Sequence, residues 1–436
     1  MNNLILRPFV IFILSLAGTG VIGAQDIYFP PVNSDSWETI DPADLNWNEE
    51  VLDSLIHYLD QNNTKSFMVL VDGKLVMEEY FDSFERDSVW YWASAGKGMT
   101  AFLTGVIQEE GLLSIDHPTS DYLGMGWTSA AEEQEELITV RDQLQMTTGL
   151  DDGVDNKDCT RDSCLVYLTD AGDRWAYHNA PYTLLTHVLE NATDQTINGI
   201  LLSRIRDQTG ITGAYIPLGF NRIMFSTPRS FARFGLLMLN RGRWDDNTIL
   251  GDDEYFDQMI SSSQSLNKSY GYLWWLNGKE NFMAPGFQFV FDGPIVPDAP
   301  DDMYAALGLN GQIINVVPSM NLVMIRMGNN PGDDLIPLNF NNEIWKYLQR
   351  AMGPSSVENI TPEAFSVFPN PSSGKIHLKS GPISGPYTLS VIDGNGRLLL
   401  QKENAVTLDL SPFPGGLYTI VLADFKGVRQ TRVVKE

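Results

Sequence analysis

Two hairpin signals stand at opposite ends of a long, mainly helical stretch, and this order constrains the fold more than any other feature of the chain. The first is SFMVLVDGKLVMEEYF (66–81), two β-type runs joined by Asp72-Gly73, a dipeptide suited to the positive φ of a tight turn. The second is GQIINVV (311–317) and NLVMIRM (321–327), joined by Pro318-Ser319-Met320. Further strands are expected at 270–276 (YGYLWWL) and 303–307. Helical spacing marks 49–62, where Leu52, Leu55, Ile56 and Leu59 share a face, and then 94–109, 180–192, 195–208, 229–240 and 340–351. An antiparallel sheet built from both ends of the domain, flanked by helices with a helical lobe beside it, satisfies that order. The expected class is α+β.

From about Gly353 the texture changes. Pro354, Ser355, Ser356, Pro362, Pro369 and Pro371 punctuate a linker and the start of a tail. Short β-type runs follow at 375–380, 387–393, 396–401, 406–410, 416–423 and 428–434, with no helical window among them, which predicts a small all-β sandwich. With 436 residues the chain has room for two folded units. The expected boundaries are a leader over 1–24, a first domain over 33–352, a linker over 353–364 and a tail domain over 365–436.

The leader is read from Arg7, the apolar run Phe9 to Leu16, and a small-residue cleavage site, Val21-Ile22-Gly23-Ala24. Its apolar part is too short and too interrupted by glycine for a stable membrane span. Export permits disulfides, so Cys159 and Cys164, the two cysteines of the chain, are expected to pair locally. Closing so small a ring contributes roughly 2 kcal/mol in the loop-entropy account. With 55 acidic and 29 basic residues the formal charge is −26, a field that repels phosphate backbones and anionic lipid heads. Nucleic acid and membrane surfaces are therefore not expected partners; a small-molecule or peptide-like substrate is.

The chemistry-bearing residues point to nucleophilic catalysis. A serine hydroxyl needs a base to remove its proton, and Ser-x-x-Lys at a helix start puts both side chains on one face, one turn apart. Three such pairs occur: Ser94–Lys97, Ser265–Lys268 and Ser372–Lys375. Ser372 lies between prolines and a strand, and Ser265 runs into the aromatic stretch YGYLWW. Only Ser94-Ala95-Gly96-Lys97 opens a long helical pattern, in which Met99, Phe102, Leu103, Val106 and Ile107 face inward. By itself the pair could equally be a helix cap and a solvated lysine.

Two other stretches add weight. In Tyr177-His178-Asn179 a phenol can relay a proton and an amide can orient an amine or a substrate carbonyl. In Gly308-Leu309-Asn310-Gly311-Gln312 the glycines allow a substrate backbone to approach, and the Gln312 N–H can complete an oxyanion hole with that of Ser94. A plain turn accounts for the second stretch as well. Five histidines, His57, His117, His178, His187 and His377, show neither metal-ligand spacing nor a Gly-x-Ser-x-Gly elbow, so no metal or other cofactor is expected.

In order and spacing, Ser94-Ala95-Gly96-Lys97, Tyr177-His178-Asn179 and Gly308–Gln312 resemble the serine β-lactamase and penicillin-binding-protein-like family, on its class C and carboxylesterase side. The resemblance covers roughly residues 49–350. It implies an acyl-enzyme mechanism without metal: Ser94 attacks, Lys97 and Tyr177 share proton transfer, Asn179 orients Lys97 and substrate, and the amides of Ser94 and Gln312, with Gly311 beside them, hold the oxyanion. Many members carry Lys or His at the start of the third motif to meet a substrate carboxylate. Here the position is Leu309, followed by Asn310, which leans towards neutral esters or amides.

The tail has its own resemblance. Val367-Phe368-Pro369-Asn370-Pro371, Asp393-Gly394-Asn395-Gly396-Arg397, Pro414-Gly415-Gly416-Leu417-Tyr418 and the terminal Val433-Val434-Lys435-Glu436 resemble a type IX secretion C-terminal sorting domain, which implies the type IX secretion machinery as a partner and a secreted or cell-surface location. The expected function is thus a secreted serine hydrolase acting on an ester or amide. The alternative is a non-catalytic binder or sensor on the same fold.

Overall fold

The computed structural model describes residues 27–332, 336–353, 366–379, 387–392, 398–424 and 427–435. The leader over 1–24, and the linker over 353–364 apart from Gly353, lie outside them. The chain divides into two compact units, Met1–Pro354 and Ser355–Glu436.

The sheet of the first unit is drawn from both ends of the chain. Strands β1 (Thr64–Val71) and β2 (Lys74–Tyr80) form the first hairpin. Asp72 (φ 49°) and Gly73 (φ 80°) make its turn, and a Cβ on Gly73 would lie 1.9 Å from the Tyr28 carbonyl oxygen, so only glycine fits. Strands β3 (Trp275–Leu276), β4 (Tyr304–Gly308), β5 (Gln312–Val317) and β6 (Leu322–Gly328) complete it in the order β2-β1-β6-β5-β4-β3, with every pairing antiparallel.

Both faces are covered. On β5 and β6, Ile314 and Val323 touch Gly235 of helix α4 (Pro228–Leu239). Asn315 on β5 exchanges hydrogen bonds of 2.7 and 3.1 Å with Asn341 of α5 (Leu338–Met352), and the Arg326 guanidinium of β6 lies over the Phe340 ring. Alternation along a strand puts these two sets on opposite faces. Helix α1 (Glu49–Gln61) packs with α5, and starts where the Asn48 side chain accepts from the Val51 N–H, with Glu49 and Glu50 in its first turn. Helix α2 (Gly96–Glu109) is buried along Gly96–Ile107, with Lys97, Thr100 and Thr104 buried among its apolar residues. Helix α3 (Asn179–Thr193) packs against it, followed by helical turns over Ile197–Thr209.

Two details depart from expectation. The run 270–276 yields a strand only at Trp275–Leu276: Leu273 has φ 61°, the Gly271 N–H donates to the Trp274 carbonyl at 2.9 Å, and the segment folds back on itself. Its residues are buried on all sides, so an apolar run carried no information about extension. The structure also holds an unforeseen small sheet of Trp90–Tyr91, Asn221–Ser226 and Ala214–Leu218, in which Pro217 sits on an edge strand.

In the second unit, Ser366–Phe368, Lys375–Lys379 and Thr407–Asp409 form one sheet, and Leu398–Glu403, Tyr387–Ile392, Gly416–Asp424 and Gly427–Lys435 another. Both contribute to one core that includes Val367, Ile376, Val391, Leu408, Ile420 and Val433. The first strand was not foreseen; the other strands match the expected runs.

Candidate active site

The serine sits on a strained turn. Ala93, immediately before it, has φ 48°, the left-handed region that costs a residue with a Cβ about 1 kcal/mol or more. The turn is pinned by the Trp92 N–H, which donates to the Met224 carbonyl at 2.8 Å, and by the Trp92 indole N–H, which donates to Ser226 Oγ at 2.7 Å. A short 3₁₀ turn, Ala93–Ala95, then leads into α2.

At the second residue of α2, one turn beyond Ser94, Lys97 Nζ donates to Ser94 Oγ at 3.1 Å and to Asn179 Oδ1 at 2.9 Å. The amine lies 4.2 Å from the centroid of the Tyr182 ring and 4.9 Å from that of Tyr177. Aromatic faces give a cation partial compensation but exclude water. Lys97 is only 3% exposed, and burial pushes its pKa down to about 7, against which the charge of Asp158 pulls upward. Near neutrality a substantial fraction of the amine is therefore unprotonated and can accept a proton. Burial also pushes the Tyr177 phenol above its ordinary range, with a hydrogen bond to the Ser94 side chain opposing the shift. The structure thus brings Ser94, Lys97, Tyr177 and Asn179 together.

The third stretch closes the group from the sheet. Gly308, the last residue of β4, lies against the serine turn: a Cβ on it would meet the Trp92 carbonyl oxygen at 2.4 Å and the Ala95 nitrogen at 3.0 Å. Asn310 (φ 64°) and Gly311 (φ 74°) turn the chain, and the Asn310 side chain donates to the Tyr91 hydroxyl at 2.6 Å. Gln312 is fully buried opposite Gly308; its side chain donates to the Gly328 carbonyl at 2.7 Å and accepts from the Gly328 N–H at 3.1 Å. Buried Arg326 donates to the carbonyls of Asn310 at 2.8 Å, Gly311 at 3.0 Å, Asn329 at 3.1 Å and Asn62 at 2.8 Å, and to Thr64 Oγ1 at 3.1 Å. Leu309, at the tip, is 49% exposed.

The other two Ser-x-x-Lys pairs form no such contact, although Ser372 is itself buried. Ser372 Oγ donates to the Lys375 carbonyl within a turn, and the Lys268 amine pairs with Glu280. Cys159 and Cys164 are joined in a disulfide. His178, at the N-terminus of α3, is buried, and burial pushes its pKa down to about 4. Trp92, Trp175, Trp274 and Trp275 are core residues. Among the described residues no group of three or more His, Cys, Asp or Glu side chains is placed to hold a metal ion.

Sequence reasoning missed several participants. Tyr182 follows Asn179 by three residues on α3, so helical spacing already carried that signal. Asp158, which accepts from Asn179 Nδ2 at 2.8 Å, and Arg326 carried none. A further feature is the aromatic hairpin 281–292: Phe282 stacks on Phe291 at 5.1 Å, Phe289 lies 4.6 Å from Phe291, and Phe289 is 54% exposed. It is tied to the segment that precedes Tyr177 by Gln288, whose side chain donates to the Trp175 carbonyl at 3.1 Å.

Comparison with known proteins bears on the family and the fold. The beta-lactamase family model matches residues 53–337, and the model for secretion system C-terminal sorting domains matches residues 366–436. A sorting domain of this type, that of type IX secretion, indicates a secreted or cell-surface protein. An uncharacterized protein of Alkalihalophilus pseudofirmus is 22% identical over 306 residues, covering 61% of this chain and 84% of its own. A Bacteroides dorei protein provisionally named a beta-lactamase matches with a TM-score of 0.56 and 16% identity over 70% of this chain and 99% of its own. A Bacillus anthracis protein provisionally named a 6-aminohexanoate-dimer hydrolase matches with a TM-score of 0.53 and 18% identity over 68% of this chain and 81% of its own. At such identities the likeness is one of fold. No helix among the described residues is long and apolar enough to cross a membrane.

Proposed function

The chain belongs to the beta-lactamase family, and from that membership we propose that it is an exported serine hydrolase that cleaves a neutral ester or amide through an acyl-enzyme on Ser94. The observation that carries this reading is the buried Lys97 amine 3.1 Å from the Ser94 hydroxyl. Ser94 Oγ adds to the substrate carbonyl carbon while its proton passes to Lys97, with Tyr177 placed to share the transfer. The resulting oxyanion is held by the Ser94 N–H and by an N–H of the Gly308–Gln312 hairpin. Gln312 is the residue expected to supply it, and it pairs directly with Gly308, whose backbone lies against the serine turn; the Leu309 amide, next along the chain, is the second candidate. Collapse of the adduct breaks the bond to the leaving alcohol or amine, which takes up the proton. Water then hydrolyses the Ser94 ester by the same route, releasing the acid and restoring the hydroxyl.

Leu309 and Asn310 offer no cation to a substrate carboxylate, which supports neutral substrates. The exposed phenylalanines of hairpin 281–292 support an apolar group on the acyl side or the leaving side. The sorting domain supports delivery by the type IX secretion machinery, with the enzyme working outside the cell.

A fluorophosphonate probe tests the assignment, together with a panel of esters, linear oligoamides (the substrate type in the Bacillus anthracis neighbour's name), β-lactams and D-amino-acid peptides. The expected result is labelling and turnover by the wild type and neither by Ser94→Ala. Equal labelling of both proteins removes the serine assignment. Absence of both labelling and turnover in the wild type favours a non-catalytic binder or sensor.

A further inference from the structure

We propose that Asp158 is a positioning residue for the lysine base, acting through the Asn179 amide from the position immediately before the Cys159–Cys164 disulfide ring. The inference rests on the reading of Ser94 and Lys97 given above.

The geometry is a continuous chain of four side chains. Ser94 Oγ accepts from Lys97 Nζ, Lys97 Nζ donates to Asn179 Oδ1, and Asn179 Nδ2 donates to Asp158 Oδ1, at 3.1, 2.9 and 2.8 Å. An amide can be turned either way at little intrinsic cost, and the two orientations are opposites here: one offers Lys97 an acceptor, the other a donor that competes with Ser94. A carboxylate accepts only. Asp158 therefore admits the orientation that turns the carbonyl oxygen of Asn179 towards Lys97 and excludes the other.

The loop carrying Asp158 is built onto the same helix end. The Ala180 N–H, in the first turn of α3, donates to the Lys157 carbonyl at 3.1 Å, so the residues flanking each side chain are also tied by backbone. The Asp158 N–H donates to Asn156 Oδ1 at 3.1 Å, and the Cys159 N–H donates to the Asn156 carbonyl at 3.1 Å. Asp158 is thus fixed on one side by a turn and on the other by Cys159, whose disulfide partner lies five residues on. The disulfide links covalent structure to the base, although neither sulfur takes part in the chemistry.

Asp158 also acts by charge. It is the charged side chain whose field reaches Lys97, and it favours the protonated amine. The other titratable groups facing Lys97 are the phenols of Tyr177 and Tyr182, both pushed up by burial and neutral in the assay range. Beyond Asn179, His178 is held neutral by burial, and Arg174 is paired with Asp152.

Two variants separate the orienting role from the charge. Asp158→Asn retains an acceptor for Asn179 Nδ2 but removes the charge. The acid limb of its kcat/KM profile should move down by about 0.5 to 1 pH unit, and direct titration of Lys97 by NMR should move by the same amount. Asp158→Ala frees the amide, and its kcat should fall about tenfold or more with KM changed less than threefold. An acid limb and Lys97 titration in Asp158→Asn that coincide with the wild type overturn the proposal. So does a folded Asp158→Ala with wild-type kcat. If Asp158→Ala does not fold, Asp158→Leu, which keeps the shape of the side chain without an acceptor, decides the orienting role in its place by the same kcat test. The NMR titration needs no turnover, so it stands even where unchanged labelling of Ser94→Ala has removed the serine assignment.

Discussion

Gly308 and Trp92 approach so closely that a Cβ on the glycine would lie 2.4 Å from the Trp92 carbonyl oxygen. The contact joins the end of β4 to the turn that carries Ser94, and it is backbone against backbone, so no flexible side chain can yield. Gly308→Ala must therefore push the hairpin and the serine apart. The expected outcome is a loss in kcat/KM of about 100-fold, the scale of a 1 Å misplacement, with stability lowered by about 1–3 kcal/mol. Ester turnover and a denaturant melt measure the two effects; wild-type turnover would place the oxyanion donors elsewhere.

The pH profile should report Lys97. Its neutral form accepts the serine proton, and burial sets its pKa at about 7. Below that pH the amine is protonated and kcat/KM for an uncharged ester should fall about tenfold per pH unit. A profile flat from pH 5.5 to 8 would rule out this amine as the base.

Lys97 should also cost stability. Its folded pKa, about 7, lies below its ordinary value of 10.5, so the folded state binds fewer protons than the unfolded state between those limits. Through this group stability rises with pH across that window and is poorest below pH 7. Replacing the amine by Lys97→Met should raise stability by roughly 2 kcal/mol or more at pH 6, an advantage that shrinks towards pH 10. Thermal melts at several pH values check the sign; a destabilised variant at pH 6 contradicts it.

Arg326 holds the hairpin from behind. Its guanidinium is fully buried and bonds backbone carbonyls rather than a carboxylate. Burial lowers its pKa to about 9, which still leaves it charged at neutral pH. Arg326→Met removes the guanidinium donor from the carbonyls of Asn310 and Gly311 beside the site. A loss of about 3 kcal/mol or more is expected in urea unfolding, with activity reduced even where the protein stays folded. An unchanged unfolding midpoint would mean that water replaces the fork.

The aromatic hairpin predicts selectivity. Phe289 is exposed beside a segment tied to Trp175. Phe289→Ser should reduce the preference for long-chain or aromatic esters over acetyl esters about five- to tenfold, the value of one apolar contact. Unaltered discrimination in paired kinetic assays would assign the phenylalanines a different role.

Local pattern was enough to expose the parts of this protein whose physics is local. Asp72-Gly73 marked a turn that needs positive φ, the leucines of α1 marked a buried stripe, and Ser94 with Lys97 shared a helix face because 3.6 residues make a turn. The all-β tail was legible for the same reason, since its short β-type runs are separated by Gly, Pro, Asn or Asp. Tertiary structure decided the rest. Arg326, Asp158 and Gly308 matter through partners far away in the chain, and no spacing rule connects Asp158 to Asn179 or Gly308 to Trp92. The stretch 270–276 misled because burial on every side erases the alternation that distinguishes a strand. Above all, the sequence names an amine beside a hydroxyl, but only packing removes the water that would otherwise keep that amine charged.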